Sequence, residues 1–103
     1  MDSYVYLIQS LENSKYKIGT SKNPQKRVKS LQTGNGEKLK LIETYKSKHP
    51  YIVEKSLHNQ YKHLNTIGEW YELSIDEEVM FVENCKKIEN NINILRKMGN
   101  EYI

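Results

Sequence analysis

Residues 4–20 read YVYLIQSLENSKYKIGT, and this stretch decides the fold. Tyr4-Val5-Tyr6-Leu7-Ile8 is a run of aromatic and β-branched side chains, the composition of a strand. Gln9 to Lys15 is polar and carries Asn13 and Ser14, which are turn residues. Tyr16-Lys17-Ile18-Gly19-Thr20 returns to strand character, so the two runs predict an antiparallel hairpin. Alternation along the first run puts Tyr4, Tyr6 and Ile8 on one face and Val5 and Leu7 on the other; on the second, Lys17 and Gly19 share a face. Such a hairpin can bring a tyrosine hydroxyl near a lysine ammonium, with a glycine beside them that adds no side chain. The plainer alternative makes Tyr6 a core residue with a wetted hydroxyl and Lys17 a surface charge.

Working outward, Asn23-Pro24 is a helix start, because Asn can cap free N–H groups and Pro suits the first helical position. Arg27, Val28 and Leu31 continue that helix, and Thr33-Gly34-Asn35-Gly36 ends it. Leu39, Leu41 and Glu43 alternate with Lys40, Ile42 and Thr44 as a third strand. The spacing of Val53, Leu57, Tyr61 and Leu64 predicts a helix over 50–64. Gly68 to Leu73 is a short extended segment. Ser74 with Glu77 is a capping box opening a last helix, with Ile75, Val79, Val82, Ile88, Ile92 and Leu95 as its buried face and Met80 and Phe81 widening it. The order ββαβα, short strand, helix predicts one α/β domain of the α+β kind over 1–103, with a core over about 3–75 and a packed helix over about 74–98.

Composition narrows the classes. With 103 residues, 37% hydrophobic and 28% charged, the chain suits one small domain. No apolar run approaches the roughly 20 residues of a membrane span, and MDSYVYLIQS has no basic stretch ahead of its apolar segment, so neither a membrane protein nor a secreted precursor is expected. The single cysteine, Cys85, makes no internal disulfide or cysteine zinc cage, which points to a reducing intracellular compartment. The net charge is +3, but residues 1–66 hold 12 Lys/Arg against 5 Asp/Glu, whereas residues 67–103 hold 4 against 8. A basic front with eight tyrosines and one Trp in the chain suggests nucleic acid as partner, with Tyr4, Tyr16, Lys22 and Lys26 as candidate contacts. The alternative is a lysine-rich solubilising surface.

Several residues could carry chemistry. A free phenol ionises near pH ~10, and a nearby cation favours the phenolate, which would make Tyr6 beside Lys17 a candidate base. Arg27 can grip phosphate through parallel hydrogen bonds, though a lone arginine is usually a solvated surface residue. Glu54 and His58 are neighbours on one helix face; a carboxylate suits Mg²⁺, which needs few protein groups, and the plain alternative is a helix-surface hydrogen bond. His49, His58 and His63 lack a zinc spacing. Thr33-Gly34-Asn35-Gly36 lacks the ending of a phosphate-binding P-loop.

Assembled, Tyr4-Val5-Tyr6, Lys17-Ile18-Gly19, Arg27 and the helical Glu54 resemble the GIY-YIG nuclease family. The stretch from Tyr16 to Arg27, the Glu54–His58 spacing and Gly68-Glu69-Trp70 resemble a small phage- and virus-associated branch of it, over roughly residues 3–75. Tyr4 stands in place of the first glycine and Lys17 in place of the second tyrosine. The resemblance implies a three-stranded antiparallel sheet flanked by helices and hydrolysis of DNA phosphodiesters with Mg²⁺ or Mn²⁺. It gives Tyr6 as general base, Arg27 on the scissile phosphate, Glu54 on the metal and His58 nearby. A metal-dependent DNA endonuclease is thus the first reading, ahead of a nucleic-acid-binding module that lost cleavage and a protein-interaction domain. With no reading module in the sequence, specificity would come from a homodimer or from recruitment by another subunit.

Overall fold

The computed structural model describes residues 3–99. β1 (Ser3–Ser10) and β2 (Tyr16–Ser21) form the antiparallel hairpin, with Tyr6 opposite Gly19 and Ile8 opposite Lys17. In its turn the Asn13 side-chain oxygen accepts from the Lys15 N–H at 2.9 Å, and Ser14 takes a left-handed φ of 59°. α1 (Pro24–Thr33) follows at once, capped by the Asn23 side chain, which accepts from the Lys26 N–H at 3.1 Å. β3 (Leu39–Ser47) then pairs antiparallel with the other edge of β1.

α2 (Pro50–Gln60) buries Val53 and Leu57. The helix expected to reach Leu64 stops at Gln60, and Lys62–Leu64 tightens into a 3-10 turn. β4 (Trp70–Tyr71) joins β2 only at Tyr16–Tyr71 and Lys17–Trp70. The sheet therefore has four strands, in the order β3-β1-β2-β4, and not three. Two residues are too few to show alternation, so the sequence marked this segment as extended without giving it a partner.

The two faces of the sheet are covered differently. Val5, Leu7 and Ile18 pack with Val53 and Leu57 of α2 and with Phe81, Cys85 and Ile92 from the C-terminal part of the chain. Tyr6, Ile8 and Leu39 on the other face pack with Val28 and Leu31 of α1 and with Trp70. Full burial of a side chain such as Leu57 or Phe81 contributes ~1.5–3 kcal/mol.

The single C-terminal helix expected from the sequence is two. α3 (Ile75–Val79) opens on the capping box of Ser74 and Glu77, and α4 (Phe81–Lys97) begins after a break at Met80. The break separates the apolar stripe. Phe81, Cys85 and Ile92 recur at helical spacing along α4 and are buried, whereas Ile75 and Val79, expected in the core, are 77% and 70% exposed. Val82 and Ile88 pack at the core margin, and Leu95 is 37% exposed.

Glu89 of α4 ties this helix to β3. It accepts hydrogen bonds from the Tyr45 hydroxyl at 2.8 Å, the Ser47 hydroxyl and the Lys48 N–H at 3.0 Å. Burial alone would raise its pKa, but these bonds outweigh it and hold the carboxyl below its ordinary value. On the same helix Cys85 is fully buried, and burial, with the Glu89 charge, pushes its thiol up to about 12. Among the described residues no helix is long and apolar enough to cross a membrane.

Candidate active site

Because β4 covers only Tyr16 and Lys17, the outer edge of β2 lies open from Ile18 to Thr20. A cavity of about 400 Å³ occupies that edge. Tyr6 and Arg27 line it from the α1 side of the sheet, Glu54 and His58 from α2, and Lys17, Gly19, Glu69 and Tyr71 are among the rest of its wall. The residues expected at the centre of the chemistry, Tyr6, Lys17, Arg27, Glu54 and His58, are therefore brought together in one place.

Each is held by a local cause. The Tyr6 ring lies across Gly19, where a Cβ would come within 2.3 Å of the Tyr6 hydroxyl oxygen. Glycine at position 19 is what lets that ring lie there. No described side-chain polar atom is buried without a partner, and no described group hydrogen-bonds the Tyr6 hydroxyl, so it opens to the cavity. Arg27 sits one turn into α1, fixed by the Asn23 cap, whose carbonyl accepts the Arg27 N–H at 3.0 Å. Its guanidinium is exposed and has no hydrogen bond or ion pair among the described residues.

His58 Nε2 lies 3.0 Å from the Ile18 carbonyl. A carbonyl only accepts, so Nε2 carries the hydrogen and Nδ1 is the nitrogen left to exchange a proton. The ring stacks on Tyr71 at 5.6 Å between centroids, with the planes 19° apart. One turn earlier, Glu54 is half-buried and makes no hydrogen bond or ion pair among the described residues. Burial raises its pKa, the Glu69 charge adds to the rise, and His58 opposes it.

Lys17 does not sit opposite Tyr6. Its register partner on β1 is Ile8, and its ammonium donates to Glu69 at 2.6 Å. The cation expected beside the phenol is thus committed to a carboxylate. Lys17 holds the Glu69 carboxyl below its ordinary value against burial, and Arg27 and His58 add to the lowering.

The expected nucleic-acid contacts divide. Tyr4 and Lys22 line a separate pocket of about 370 Å³ with Asn23, Pro24, Gln25 and Thr44. Lys26 is exposed on α1 and lines neither cavity. Tyr16 is a correction: it is 4% exposed, and its hydroxyl donates to Glu78 at 2.6 Å. Burial first, then that carboxylate, pushes its pKa up to about 12. A tyrosine packed among Ile18 and Leu57 offers no surface to DNA. Conversely, Glu69 and Tyr71 line the cavity without having been singled out; the Gly68-Glu69-Trp70 segment was the only signal pointing there.

The donor set bears on a metal ion. Among the described residues no group of three or more His, Cys, Asp or Glu could hold one, which disfavours a closed cage. Mg²⁺ and its analogues keep several waters and often take one or two carboxylates. An unbonded, half-buried carboxylate facing a cavity, as Glu54 is, fits that kind of ion.

The family model of the T5orf172 domain matches residues 3–84. The chain belongs to the T5orf172 domain family. This corrects the GIY-YIG resemblance drawn from the sequence, which rested on the two tripeptides, Arg27, the Glu54–His58 spacing and Gly68-Glu69-Trp70, and in which Tyr4 and Lys17 already departed from the pattern. The T5orf172 match takes in every residue lining the cavity, together with α3 and the start of α4. No curated protein and no solved structure gives a significant match to this T5orf172 domain.

Proposed function

We propose that the protein is a metal-dependent endonuclease that hydrolyses DNA phosphodiester bonds at the open edge of β2. The observation that carries this reading is the convergence of Tyr6, Arg27, Glu54 and His58 on one cavity from three separate elements. In this scheme Arg27 holds the scissile phosphate through its planar donors. Tyr6 is the general base in this reading: its oxygen takes a proton from water as the water oxygen bonds to phosphorus, and its own hydroxyl proton passes to solvent. The bond from phosphorus to the 3′ oxygen breaks, that oxygen taking up a proton from solvent. Glu54 would hold Mg²⁺ or Mn²⁺, which supplies charge against the departing oxygen when bound. His58, fixed by the Ile18 carbonyl, presents Nδ1 for proton exchange nearby.

The partner in this reading is DNA, and the setting is intracellular, consistent with a lone thiol and a basic front. A second copy or another subunit would supply target choice. The second reading is a nucleic-acid-binding module without cleavage. It is favoured by the single unpaired carboxylate and by the engagement of Lys17 with Glu69. Incubation with supercoiled plasmid, with and without Mn²⁺, separates the two. Metal-dependent nicking that disappears in Glu54→Ala supports hydrolysis; intact plasmid with retained, salt-sensitive binding supports the binding module.

A further inference from the structure

The cavity contains two carboxylates in opposite situations. Glu54 has no ion pair, whereas Glu69 sits 2.6 Å from the Lys17 ammonium with Arg27 and His58 lining the same space. The two partners of that pair differ in how they are held. Lys17 belongs to a strand and its side chain is 17% exposed, so the ammonium is part of the cavity wall. Glu69 is 76% exposed and reaches in from the segment before β4, where Gly68 takes a positive φ of 63°. A half-buried cation on a strand thus meets a solvent-side anion, and pairs open to solvent are weak. A phosphate oxygen placed against Lys17 would need the ammonium that Glu69 now uses.

We propose that Glu69 occupies, in the DNA-free protein, the seat taken by a backbone phosphate in the complex, so that Lys17 is a phosphate contact exposed by exchange of one anion for the other. This rests on the reading above for the identity of the anion, a phosphodiester, but not on cleavage. In the free protein Glu69 neutralises Lys17, while Arg27 in the same cavity has no ion pair among the described residues. In the complex the displaced carboxylate regains solvent and a counterion. That recovery offsets one of the counterions released from DNA, so Glu69 weakens both the affinity and its salt dependence.

The test measures binding of a short labelled duplex by fluorescence anisotropy in EDTA across a range of salt. Glu69→Gln should bind roughly threefold to tenfold more tightly than wild type. Its slope of log affinity against log salt should steepen by about 0.9, the equivalent of one phosphate contact. Glu69→Asp keeps the charge but draws it back by one methylene, and should gain part of the affinity. Glu72→Gln, the same charge change outside the cavity, should show neither effect. Equal or weaker binding by Glu69→Gln relative to Glu72→Gln would overturn the proposal. Because EDTA removes cleavage from the assay, tighter binding by Glu69→Gln would stand even if the plasmid experiment showed no hydrolysis.

Discussion

α2 and α4 each lay one carboxylate beside the sheet, and the two live under opposite conditions. Glu89 of α4 accepts three hydrogen bonds at the β3 edge, and its pKa falls although burial pushes it up. Glu54 of α2 faces the open β2 edge with no hydrogen bond among the described residues, and its pKa rises. Both are partly buried glutamates on helices packed against the sheet. The difference lies in what the neighbouring strand offers. β3 turns the Tyr45 and Ser47 hydroxyls toward Glu89, whereas β2 offers Glu54 only a cavity. A carboxylate that the fold satisfies holds the structure together; one that it leaves unsatisfied is available to something from outside.

That contrast can be broken most severely at Glu54. Glu54→Ala should lower Mn²⁺-dependent plasmid nicking by about 10³-fold, the scale of several kcal/mol of lost charge stabilisation, with no fall in thermal midpoint. A variant that cuts at the wild-type rate would remove Glu54 from the chemistry. Arg27→Ala on the same side should cost about 10²–10³-fold in single-turnover rate at saturating DNA, since its unpaired guanidinium contributes little to the fold. On the other side, Glu89→Ala strands the Tyr45 and Ser47 hydroxyls and should destabilise the domain by about 2–3 kcal/mol in urea unfolding, with turnover per folded molecule unchanged. Gly19→Ala sits between the two regions. It forces the Tyr6 ring off its position, costing about 1–3 kcal/mol as overpacking does, and should lower cleavage as well.

The smallest effect is the sharpest discriminator, because the two glutamates have opposite pH signatures. Glu89 has a folded pKa below its unfolded value of about 4.3, so its contribution is present above that value and is lost as pH falls through the folded pKa. Glu54 has a folded pKa above its unfolded value, so its contribution is fully present below the unfolded value and is lost as pH rises through the folded pKa. Glu89→Gln should therefore flatten the acid side of the stability profile, while Glu54→Gln should raise stability on the neutral side. Identical profiles for the two variants would remove the distinction.

Much of this was legible in the sequence, for identifiable reasons. The hairpin followed from two β-rich runs around Asn13 and Ser14, and the pairing of Tyr6 with Gly19 is the register that such a turn allows. Asn23 and Ser74 cap their helices through side-chain chemistry that needs no tertiary context. Glu54 and His58 share a face because helices repeat every 3.6 residues. Tyr16 was also readable and was misplaced: the alternation that puts Lys17 with Gly19 puts Tyr16 with Ile18, on the core face. What local pattern could not supply was long-range pairing. The partner of β4, the Lys17–Glu69 contact and the break at Met80 depend on segments far apart in the chain or on where a continuous apolar stripe is interrupted.

The burial of Cys85 has a consequence in time. A thiol with no exposure and a pKa near 12 reacts with a soluble disulfide reagent only when α4 lifts from the sheet, because reaction needs both access and the thiolate. As the only cysteine in the chain, it gives a single labelling rate, uncontaminated by a second site. That rate is a clock for the opening of the face opposite α1, and Glu89, one turn along the same helix, opposes that opening through its hydrogen bonds with Tyr45, Ser47 and Lys48.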